Sequence, residues 1–320
     1  MKKILVTGGA GFIGSHLCDH IIEHGFIAYC LDDFSGGDIG NIRQLLDFKE
    51  FKLVKGSVLD HDLVWRLVSE VDIIMHLAAQ IHVDRSYVEP QLTWRVNVEG
   101  TQNLLEAARY YDIENFLFAS SSEVYGSAQL APMSELHPLE APHPYGASKI
   151  AADRMCAAYA KTYHMPIKIL RCFNIFGPRQ RSLNYAGVIA KFTRRVLSGQ
   201  PPVIYGDGSQ TRDYMYVKDA VNAYDFMLNN DMGLAGVPVN FGTGEEVSIL
   251  DLARMIVDVC GSDLEPVHDA PRQAEVDRLV ADISRANNFG WYPHVTLMEG
   301  LSSYVSWYRR FGYEPRTVVD

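Results

Sequence analysis

The sequence predicts an α/β fold: a doubly wound parallel sheet with a smaller, interleaved C-terminal domain. Two observations predict it. Short apolar runs alternate with helical patterns over the first half of the chain, and a Gly-x-x-Gly-x-x-Gly turn joins the first run to the first helix. Buried parallel strands are typically continuous apolar runs, and their alternation with helices is typical of a sheet covered on both faces.

The elements follow in a regular order. Strands are predicted at residues 3–6, 26–31, 51–55, 71–77, 116–119 and 167–171. Helices are predicted at residues 15–22, 60–69, 97–111 and 145–163. After residue 177 the alternation weakens, and strands near 203–205 and 239–241 are expected at the fringe of the smaller domain or at the sheet edge. We therefore predict one domain over 1–177, rejoined by parts of about 205–245, and a second mainly over 178–320.

The glycine turn has the context of a dinucleotide site. Gly8, Gly11 and Gly14 lie between an apolar run and a helical pattern, so backbone N–H groups and a helix N-terminus can meet a pyrophosphate. Asp32 ends the next apolar run, about 20 residues further on. A carboxylate there binds ribose hydroxyls and repels a 2′-phosphate, and no Arg follows closely. NAD is therefore favoured over NADP.

Composition excludes several classes of protein. The chain has 320 residues, 48% of them hydrophobic and 21% charged, with a formal net charge of −10. This charge argues against binding nucleic acid or an acidic membrane. Five scattered cysteines lack the spacing of metal ligands, so we predict no metal site and a reducing, cytoplasmic environment. No signal peptide and no apolar run of membrane-spanning length, roughly 18 residues, is expected.

Tyr145 and Lys149 are candidate catalytic residues. Four residues apart on a predicted helix, they share one face. An ammonium group there would stabilise a phenolate and lower the pKa of the Tyr from about 10. Such a pair forms a general base that takes a hydroxyl proton while a hydride leaves the same carbon.

Several motifs together carry a resemblance to a known family. They are Thr7-Gly8-Gly9-Ala10-Gly11-Phe12-Ile13-Gly14, His76-Leu77-Ala78-Ala79, Asn97-Val98-Glu99-Gly100-Thr101, Ser120-Ser121-Ser122-Glu123-Val124-Tyr125-Gly126, Tyr145-x-x-x-Lys149, and the runs 171–178 and 206–214. In these, the chain resembles, over nearly its whole length, the extended short-chain dehydrogenase/reductases that modify nucleotide sugars. The resemblance implies a Rossmann domain, NAD as cofactor, a nucleoside-diphosphate sugar as substrate and a nucleotide-sugar-binding second domain.

The resemblance also implies roles for individual residues. The implied cofactor-binding residues are Gly8, Gly11, Phe12, Ile13, Gly14, Asp32, Ser57, Val58, Leu77, Ala78, Ala79, Asn97, Tyr145 and Lys149. The implied substrate-binding residues are His82, Asn174, Val188, Arg212 and Arg272, the arginines and Asn174 at the diphosphate. Ser57 stands where many members carry an Asp for the adenine. A packed loop histidine is the alternative for His82, and a plain surface residue is the alternative for Arg272.

The reaction depends on Ser121, Ser122 and Glu123. Ser121 matches the hydroxyl that contacts the sugar O4 beside Tyr145. The 4,6-dehydratases that the chain resembles use Asp-Glu at the next two positions, the Glu removing the C5 proton and the Asp protonating the C6 hydroxyl. Glu123 is kept, whereas Ser122 replaces the Asp, and a Ser hydroxyl is a poor general acid. Some related dehydratases also read Ser-Glu at these positions. We therefore expect a nucleotide-sugar 4,6-dehydratase.

Three alternatives stay open. A C4 epimerase acting on a UDP-hexose or UDP-uronate needs no carboxylate at position 123, and a UDP-uronate decarboxylase needs a basic group for the sugar carboxylate. A non-catalytic NAD-binding regulator would be expected to lose Tyr145, Lys149 or the arginines. The helices at 97–111 and 145–163 match the pair that forms a dimer interface in relatives, so a homodimer is expected. The base and the sugar would be selected by loops such as residues 182–188.

Overall fold

The computed structural model describes residues 1–180, 187–230, 233–271 and 276–312. Its strands are β1 (Lys3–Thr7), β2 (Ile27–Asp32), β3 (Phe51–Lys55), β4 (Ile73–His76), β5 (Asn115–Ala119), β6 (Ile167–Cys172), β7 (Ile175–Phe176), β8 (Val203–Tyr205), β9 (Thr211–Arg212), β10 (Met215–Tyr216), β11 (Pro238–Phe241), β12 (Val247–Ser248), β13 (Val267–Asp269) and β14 (Arg278–Leu279). Its α-helices are α1 (Phe12–Glu23), α2 (His61–Val68), α3 (Val83–Val88), α4 (Pro90–Trp94), α5 (Gly100–Tyr110), α6 (Pro144–Tyr163), α7 (Val188–Leu197), α8 (Val217–Asn229), α9 (Ile249–Val259), α10 (Ser284–Asn288) and α11 (Leu297–Phe311).

Seven parallel strands form the central sheet in the order β11-β6-β5-β4-β1-β2-β3. The order reverses between β1 and β4, with Leu5 opposite Tyr29 on one side and Ile74 on the other. Ligands of such sheets bind beyond the carboxyl ends of the strands at this reversal. The glycine turn follows β1, and the loop that begins at Leu77 follows β4, so both lie at that point.

Helices cover both faces of the sheet. On one face, Leu17 of α1 and Tyr224 of α8 belong to an apolar cluster with Val6 and Leu170 of the sheet. On the other face, α2, α5 and α6 contribute a second cluster that includes Leu67, Leu104 and Cys156. Because apolar side chains of the strands point to both faces, the strands are continuous apolar runs in the sequence. The predicted doubly wound fold is confirmed.

A separate apolar cluster lies among the later elements. It joins Phe192 of α7, Leu252 of α9 and Leu301 of α11 with Ile204 of β8. The strand expected near 203–205 is β8, which pairs with β13 outside the central sheet, whereas the strand near 239–241 is the edge strand β11. The division of the chain at residue 177 stays a prediction.

Three further observations complete the description of these residues. The helix expected from residue 97 begins as a π-helical segment, Arg95–Glu99, before α5. In the part of the chain that the structure describes, no helix is long and apolar enough to cross a membrane. The same residues contain no group of His, Cys, Asp and Glu that could hold a metal ion.

Candidate active site

The glycine turn brings three backbone segments closer than a side chain would permit. Gly8 has φ +69°, and a Cβ on it would lie 2.9 Å from the amide nitrogen of Ala78. A Cβ on Gly14 would lie 2.2 Å from the carbonyl oxygen of Gly8. Among the described residues no side chain caps the first turn of α1 at Gly11, so its N–H groups can bind an anion. The turn therefore fits the pyrophosphate of a dinucleotide.

Phe12 and Ile13 open α1 directly after this turn. The Phe12 ring packs against the apolar cluster of α7, α9 and α11, whereas Ile13 packs against the cluster under α1 and α8. The first turn of α1 is thus anchored on both sides. This anchoring holds the backbone N–H groups of the turn in place.

Asp32 is fixed beside the turn. Its Oδ2 accepts the Ala10 N–H at 2.9 Å and its Oδ1 accepts the Phe34 N–H at 2.8 Å. The side chain ends β2 and is 6% exposed. A Cβ on Gly37 would lie 2.6 Å from Oδ1, so the neighbouring loop also closes on this carboxylate. A fixed negative charge here suits ribose hydroxyls and opposes a 2′-phosphate.

Ser57 and Val58 follow β3 at the same edge of the sheet. The Ser57 Oγ accepts the Leu59 N–H at 3.3 Å. The Val58 side chain is buried, and its carbonyl accepts a hydrogen bond from Asn103 at 2.9 Å. These positions border the Asp32 side of the site, as expected for the adenine end of a dinucleotide.

A hydrogen-bond relay ties the ends of β1 and β4 to α5. Leu77 and Ala78 donate their N–H groups to the Thr7 Oγ1 at 3.2 and 3.1 Å. The Thr7 hydroxyl contacts His76 Nδ1 at 2.7 Å, and His76 Nε2 contacts the Thr101 Oγ1 at 2.9 Å. Burial, helped by the charge of Lys149, lowers the pKa of His76 to about 3. The ring is therefore neutral, and this relay fixes the loop after β4.

Asn97 holds the same loop against α6. Its Oδ1 accepts the Gln80 N–H at 2.7 Å, and its Nδ2 donates to the Gln80 carbonyl at 3.0 Å and to the Ser148 Oγ at 2.9 Å. Its carbonyl accepts the Thr101 hydroxyl at 2.6 Å, which fixes the direction of the relay. The Asn97 amide thus positions residues 77–80, Ala79 included.

Tyr145 and Lys149 lie buried on α6, which begins at Pro144. They are 8% and 5% exposed. The Lys149 ammonium donates to the Ala119 carbonyl and lies 4.4 Å from the centroid of the Phe118 ring. Burial lowers the pKa of Lys149 to about 8. The pair thus shares one buried face at the carboxyl end of β5.

The pKa of Tyr145 differs from the expectation. Burial raises it to about 12, the charge of Glu123 adds to this increase, and a hydrogen bond with Ser121 opposes it. The expected lowering by Lys149 is not found, because desolvation dominates and the ammonium is bonded to the Ala119 carbonyl. A positive charge close to the hydroxyl would favour formation of the phenolate.

The three residues after Ser120 have different surroundings. Ser121 caps the short 3₁₀ turn Ser122–Val124, its Oγ accepting the Glu123 N–H at 3.2 Å. Ser122 is 3% exposed, whereas Glu123 lines a large cavity. The structure therefore places Ser121 against Tyr145 and Glu123 on the cavity wall. Ser122 is buried.

His143 is a site residue that the sequence analysis missed. It is the N-cap of α6, its Nδ1 accepting the Gly146 N–H at 2.9 Å, and its Nε2 lies 3.1 Å from the Glu123 Oε2. The Pro-Tyr start of a helix marks the preceding residue as the N-cap position. The contact with Glu123, 20 residues away, has no signal in the sequence.

The cavity in front of Glu123 has a volume of about 930 Å³. That volume suits a ligand of several rings. Asn174, Val188 and Arg212 line it. The Asn174 amide donates to the Asp213 carbonyl at 2.8 Å and the Arg212 Nη1 to the Thr211 carbonyl at 2.8 Å. The cavity thus collects three of the predicted substrate-binding residues.

Helix α7 adds cationic residues to the wall. Lys191, Arg194 and Arg195 line the cavity together with Arg212. These three residues of α7 were not among the predicted site residues, although they stand close together in the sequence. Guanidinium groups pair well with phosphates, so this wall suits a diphosphate.

The other predicted substrate residues lie elsewhere. His82 is the N-cap of α3, and its neighbour Val83 lines the cavity. Arg272 and residues 182–186 of the predicted specificity loop lie outside the described residues. Gly187 and Val188, which close that loop, line the cavity.

The chain is similar to known proteins over most of its length. The sequence pattern of the GDP-mannose 4,6-dehydratase family matches residues 5–304. A putative UDP-glucose 4-epimerase of Methanocaldococcus jannaschii is 40% identical over 308 residues, which cover 95% of this chain and 97% of the relative.

Two solved structures with different activities are similar throughout. The UDP-glucose 4-epimerase of Thermotoga maritima, solved with UDP-glucose, has a TM-score of 0.90 and 34% identity, covering 96% of this chain and 99% of the other. The dTDP-glucose 4,6-dehydratase of Streptomyces venezuelae, solved with NAD, has a TM-score of 0.90 and 32% identity, covering 97% of each chain. Similarity alone therefore does not separate dehydration from epimerisation.

Proposed function

The chain belongs to the GDP-mannose 4,6-dehydratase family of nucleotide-sugar epimerases and dehydratases, and we propose that within it this protein is a nucleotide-sugar 4,6-dehydratase acting through a transient 4-keto sugar. One observation carries the proposal. The Glu123 carboxylate lies on the cavity wall, held by His143, within electrostatic reach of Tyr145. A carboxylate is the base that removal of the C5 proton requires, whereas epimerisation at C4 needs none.

NAD is the cofactor that fits the chain. The glycine turn and the N-terminus of α1 would hold its pyrophosphate, and Asp32 its adenosine ribose. Ser57 and Val58 would border the adenine, and residues 77–79 would border the nicotinamide half. When bound, NAD supplies a reversible hydride acceptor and a positive ring charge.

Tyr145 opens the reaction in this proposal. Its phenolate, hydrogen-bonded with Ser121, accepts the proton of the sugar O4 hydroxyl while a hydride leaves C4, so that C4 becomes a ketone. Lys149 is charged below a pH of about 8 and donates to the Ala119 carbonyl; its stabilisation of the phenolate stays a prediction, since no lowering of the pKa of Tyr145 by Lys149 is found. Burial and the charge of Glu123 raise the pKa of Tyr145 to about 12, so the positive ring charge that NAD would supply favours formation of the phenolate.

Glu123 carries the second step. The C4 ketone acidifies the C5 hydrogen, the Glu123 carboxylate takes that proton, and the C6–O bond breaks. The leaving hydroxyl needs a proton to depart as water, and buried Ser122 is badly placed to give one. Protonated Glu123 returns its proton to the leaving oxygen, so a single carboxylate acts as base and acid. The hydride taken from C4 returns to C6, and C5 takes a proton from solvent while Tyr145 releases the proton that it took from O4. The net reaction is a redox-neutral loss of water.

The substrate in this proposal is a nucleoside-diphosphate sugar. Asn174, Arg212 and the cationic residues of α7 line a cavity large enough for one. Arg272 stays a predicted further ligand of the diphosphate. Val188 and His82 stay predicted contacts of the nucleotide and the sugar.

A C4 epimerase is the second candidate. Burial of Ser122 favours it, because an epimerase needs no acid at that position. A decarboxylase is less well supported, since both ring nitrogens of His143, the basic side chain beside Glu123, are engaged by the Glu123 carboxylate and the Gly146 N–H rather than open to a sugar carboxylate. A non-catalytic regulator is least supported, because Tyr145 and Lys149 lie together in a site with a substrate-sized cavity.

Product analysis tests the proposal. The purified protein is incubated separately with UDP-, dTDP- and GDP-hexoses without added reductant, and the products are followed by mass spectrometry. A dehydratase gives a product lighter by one water with at least one of them. A product of unchanged mass with inverted C4 configuration would reject dehydration in favour of epimerisation.

A homodimer and a cytoplasmic location complete the proposal. Helices α5 and α6 lie side by side on one face of the sheet and expose part of their surface. All five cysteines are free, as expected in a reducing compartment.

A further inference from the structure

His143 uses both nitrogens of its ring. The Nδ1 atom accepts the Gly146 N–H at 2.9 Å, and the Nε2 atom lies 3.1 Å from the Glu123 Oε2. The His143 side chain is 5% exposed and the Glu123 side chain 27%. The histidine is therefore a buried support, and the carboxylate is the partner that reaches the cavity.

The backbone contact determines the tautomer of His143. A nitrogen that accepts an N–H has its lone pair in that bond, so the ring proton lies on Nε2. Nε2–H then donates to the Glu123 carboxylate. The cap of α6 and the support of Glu123 are thus two functions of one ring.

The same ring also lies beside Tyr145. The two ring centroids are 6.0 Å apart with planes inclined by 17°. The titratable groups that the described residues bring around Glu123 include this ring and the Tyr145 hydroxyl. His143 therefore links the proposed base for C5 to the start of the helix that carries the proposed base for O4.

We infer that His143 is a positioning residue that holds the Glu123 carboxylate in the orientation required to remove the C5 proton. The inference rests on the proposed function. Glu123 lies on a single short turn, Ser122–Val124, and the neighbouring carboxylate of other dehydratases is absent because residue 122 is Ser. A base displaced by about 1 Å loses about 100-fold in rate, so one oriented N–H is sufficient to matter.

Two substitutions separate support of Glu123 from capping of α6. In His143→Asn, the new side chain has an acceptor at the δ position and is a favoured N-cap. Its amide ends one bond short of the Nε2 position, so it does not reach Glu123. Gln in His143→Gln places an N–H donor at the ε position but is a poor cap. His137→Asn is the control for replacing a buried histidine that does not contact Glu123, because residues His137 and His143 are both 7% exposed as whole residues and the His137 Nε2 accepts the Gln129 N–H at 3.0 Å.

The experiment measures the rate at which product deuterated at C5 forms in D₂O, which reports the C5 step. It also measures the steady-state KM and the midpoint of thermal unfolding. We expect His143→Asn to keep the midpoint and KM but to slow the C5 step about 100-fold. His143→Gln should lower the midpoint yet retain the C5 step within a few-fold. His137→Asn should leave the C5 step at the wild-type rate.

The opposite pattern overturns the inference. If His143 only caps the helix, the His143→Asn variant keeps both the unfolding midpoint and the rate of the C5 step. The His143→Gln variant is then impaired in both. If the wild-type product carries C5 deuterium and the His143→Asn variant is unimpaired, the positioning role of His143 is rejected while the proposed dehydratase stands. A wild-type product of unchanged mass without C5 deuterium rejects the dehydratase, and the inference with it.

Discussion

Individual residues differ in how far their local sequence revealed their role. Asp32 and Tyr145 lie in local patterns whose spacing predicts their neighbours, so the sequence was sufficient to single them out. His143 and His76 act through partners that the fold brings together, Glu123 for the first and Thr7 and Thr101 for the second. Contacts of this kind depend on the approach of separate elements, which no local pattern encodes.

His76 gives a prediction about pH. Its pKa is about 3 in the folded protein and 6.5 in the unfolded chain, so between these values the unfolded state binds more protons. The contribution of His76 to the free energy of unfolding therefore falls as the pH is lowered from 6.5 towards 3, by about 3 kcal/mol on reaching pH 4. The Gln side chain of the His76→Gln variant does not titrate. The stability of the wild type relative to this variant should therefore fall by about 3 kcal/mol when the pH is lowered to 4.

Urea unfolding of both proteins at pH 7 and pH 4 measures this difference. Other titrating groups are common to the two proteins and cancel. A stability difference that is the same at both pH values would contradict a neutral, buried His76.

At the scale of elements, the periodicity of apolar residues was sufficient to predict the strands of the sheet but not the buried polar contacts between the sheet and its helices. The strand expected at 167–171 is β6, but its Arg171 is 1% exposed and pairs with Asp153 of α6 at 2.9 and 3.0 Å. Asp153 also accepts the Ser120 hydroxyl at 2.6 Å, and Arg171 donates to the Tyr125 hydroxyl at 2.9 Å. This buried pair holds both ends of the segment that carries Ser121 and Glu123. Its formation required the packing of α6 on β6, which the apolar pattern alone does not specify.

At the scale of the whole molecule, the central sheet and the position of the site were predictable because strand order places the glycine turn and the end of β4 together. The strand near 239–241 was expected at the sheet edge or at the fringe of the smaller domain, and its pairing with β6 places it at the edge. The cationic wall of α7 depends on long-range packing, which the sequence alone does not reveal. A homodimer through α5 and α6 is the prediction at this scale. Ala158 lies on α6 and is exposed, and small residues permit close helix packing between subunits.

Ala158→Lys should therefore dissociate the dimer without unfolding the protomer, because the side chain does not enter the core. Analytical ultracentrifugation should show a dimer for the wild type and a monomer-enriched mixture for the variant, with unchanged circular dichroism. Ser302→Lys, at an exposed position of α11, is the control and should remain a dimer. A monomeric wild type, or a variant as dimeric as the wild type, would contradict this interface.

In the proposed function, Glu123 performs the step that makes this protein a dehydratase. Its most direct test is Glu123→Gln, which keeps the size and polarity of the side chain but removes the base. In a stopped-flow experiment with NAD and the substrate identified by product analysis, the variant should oxidise C4 and then stall. Reduced nicotinamide absorbance would persist, and no dehydrated product would form. Continued turnover of the variant at the wild-type rate, without persistent reduced nicotinamide, would contradict the account.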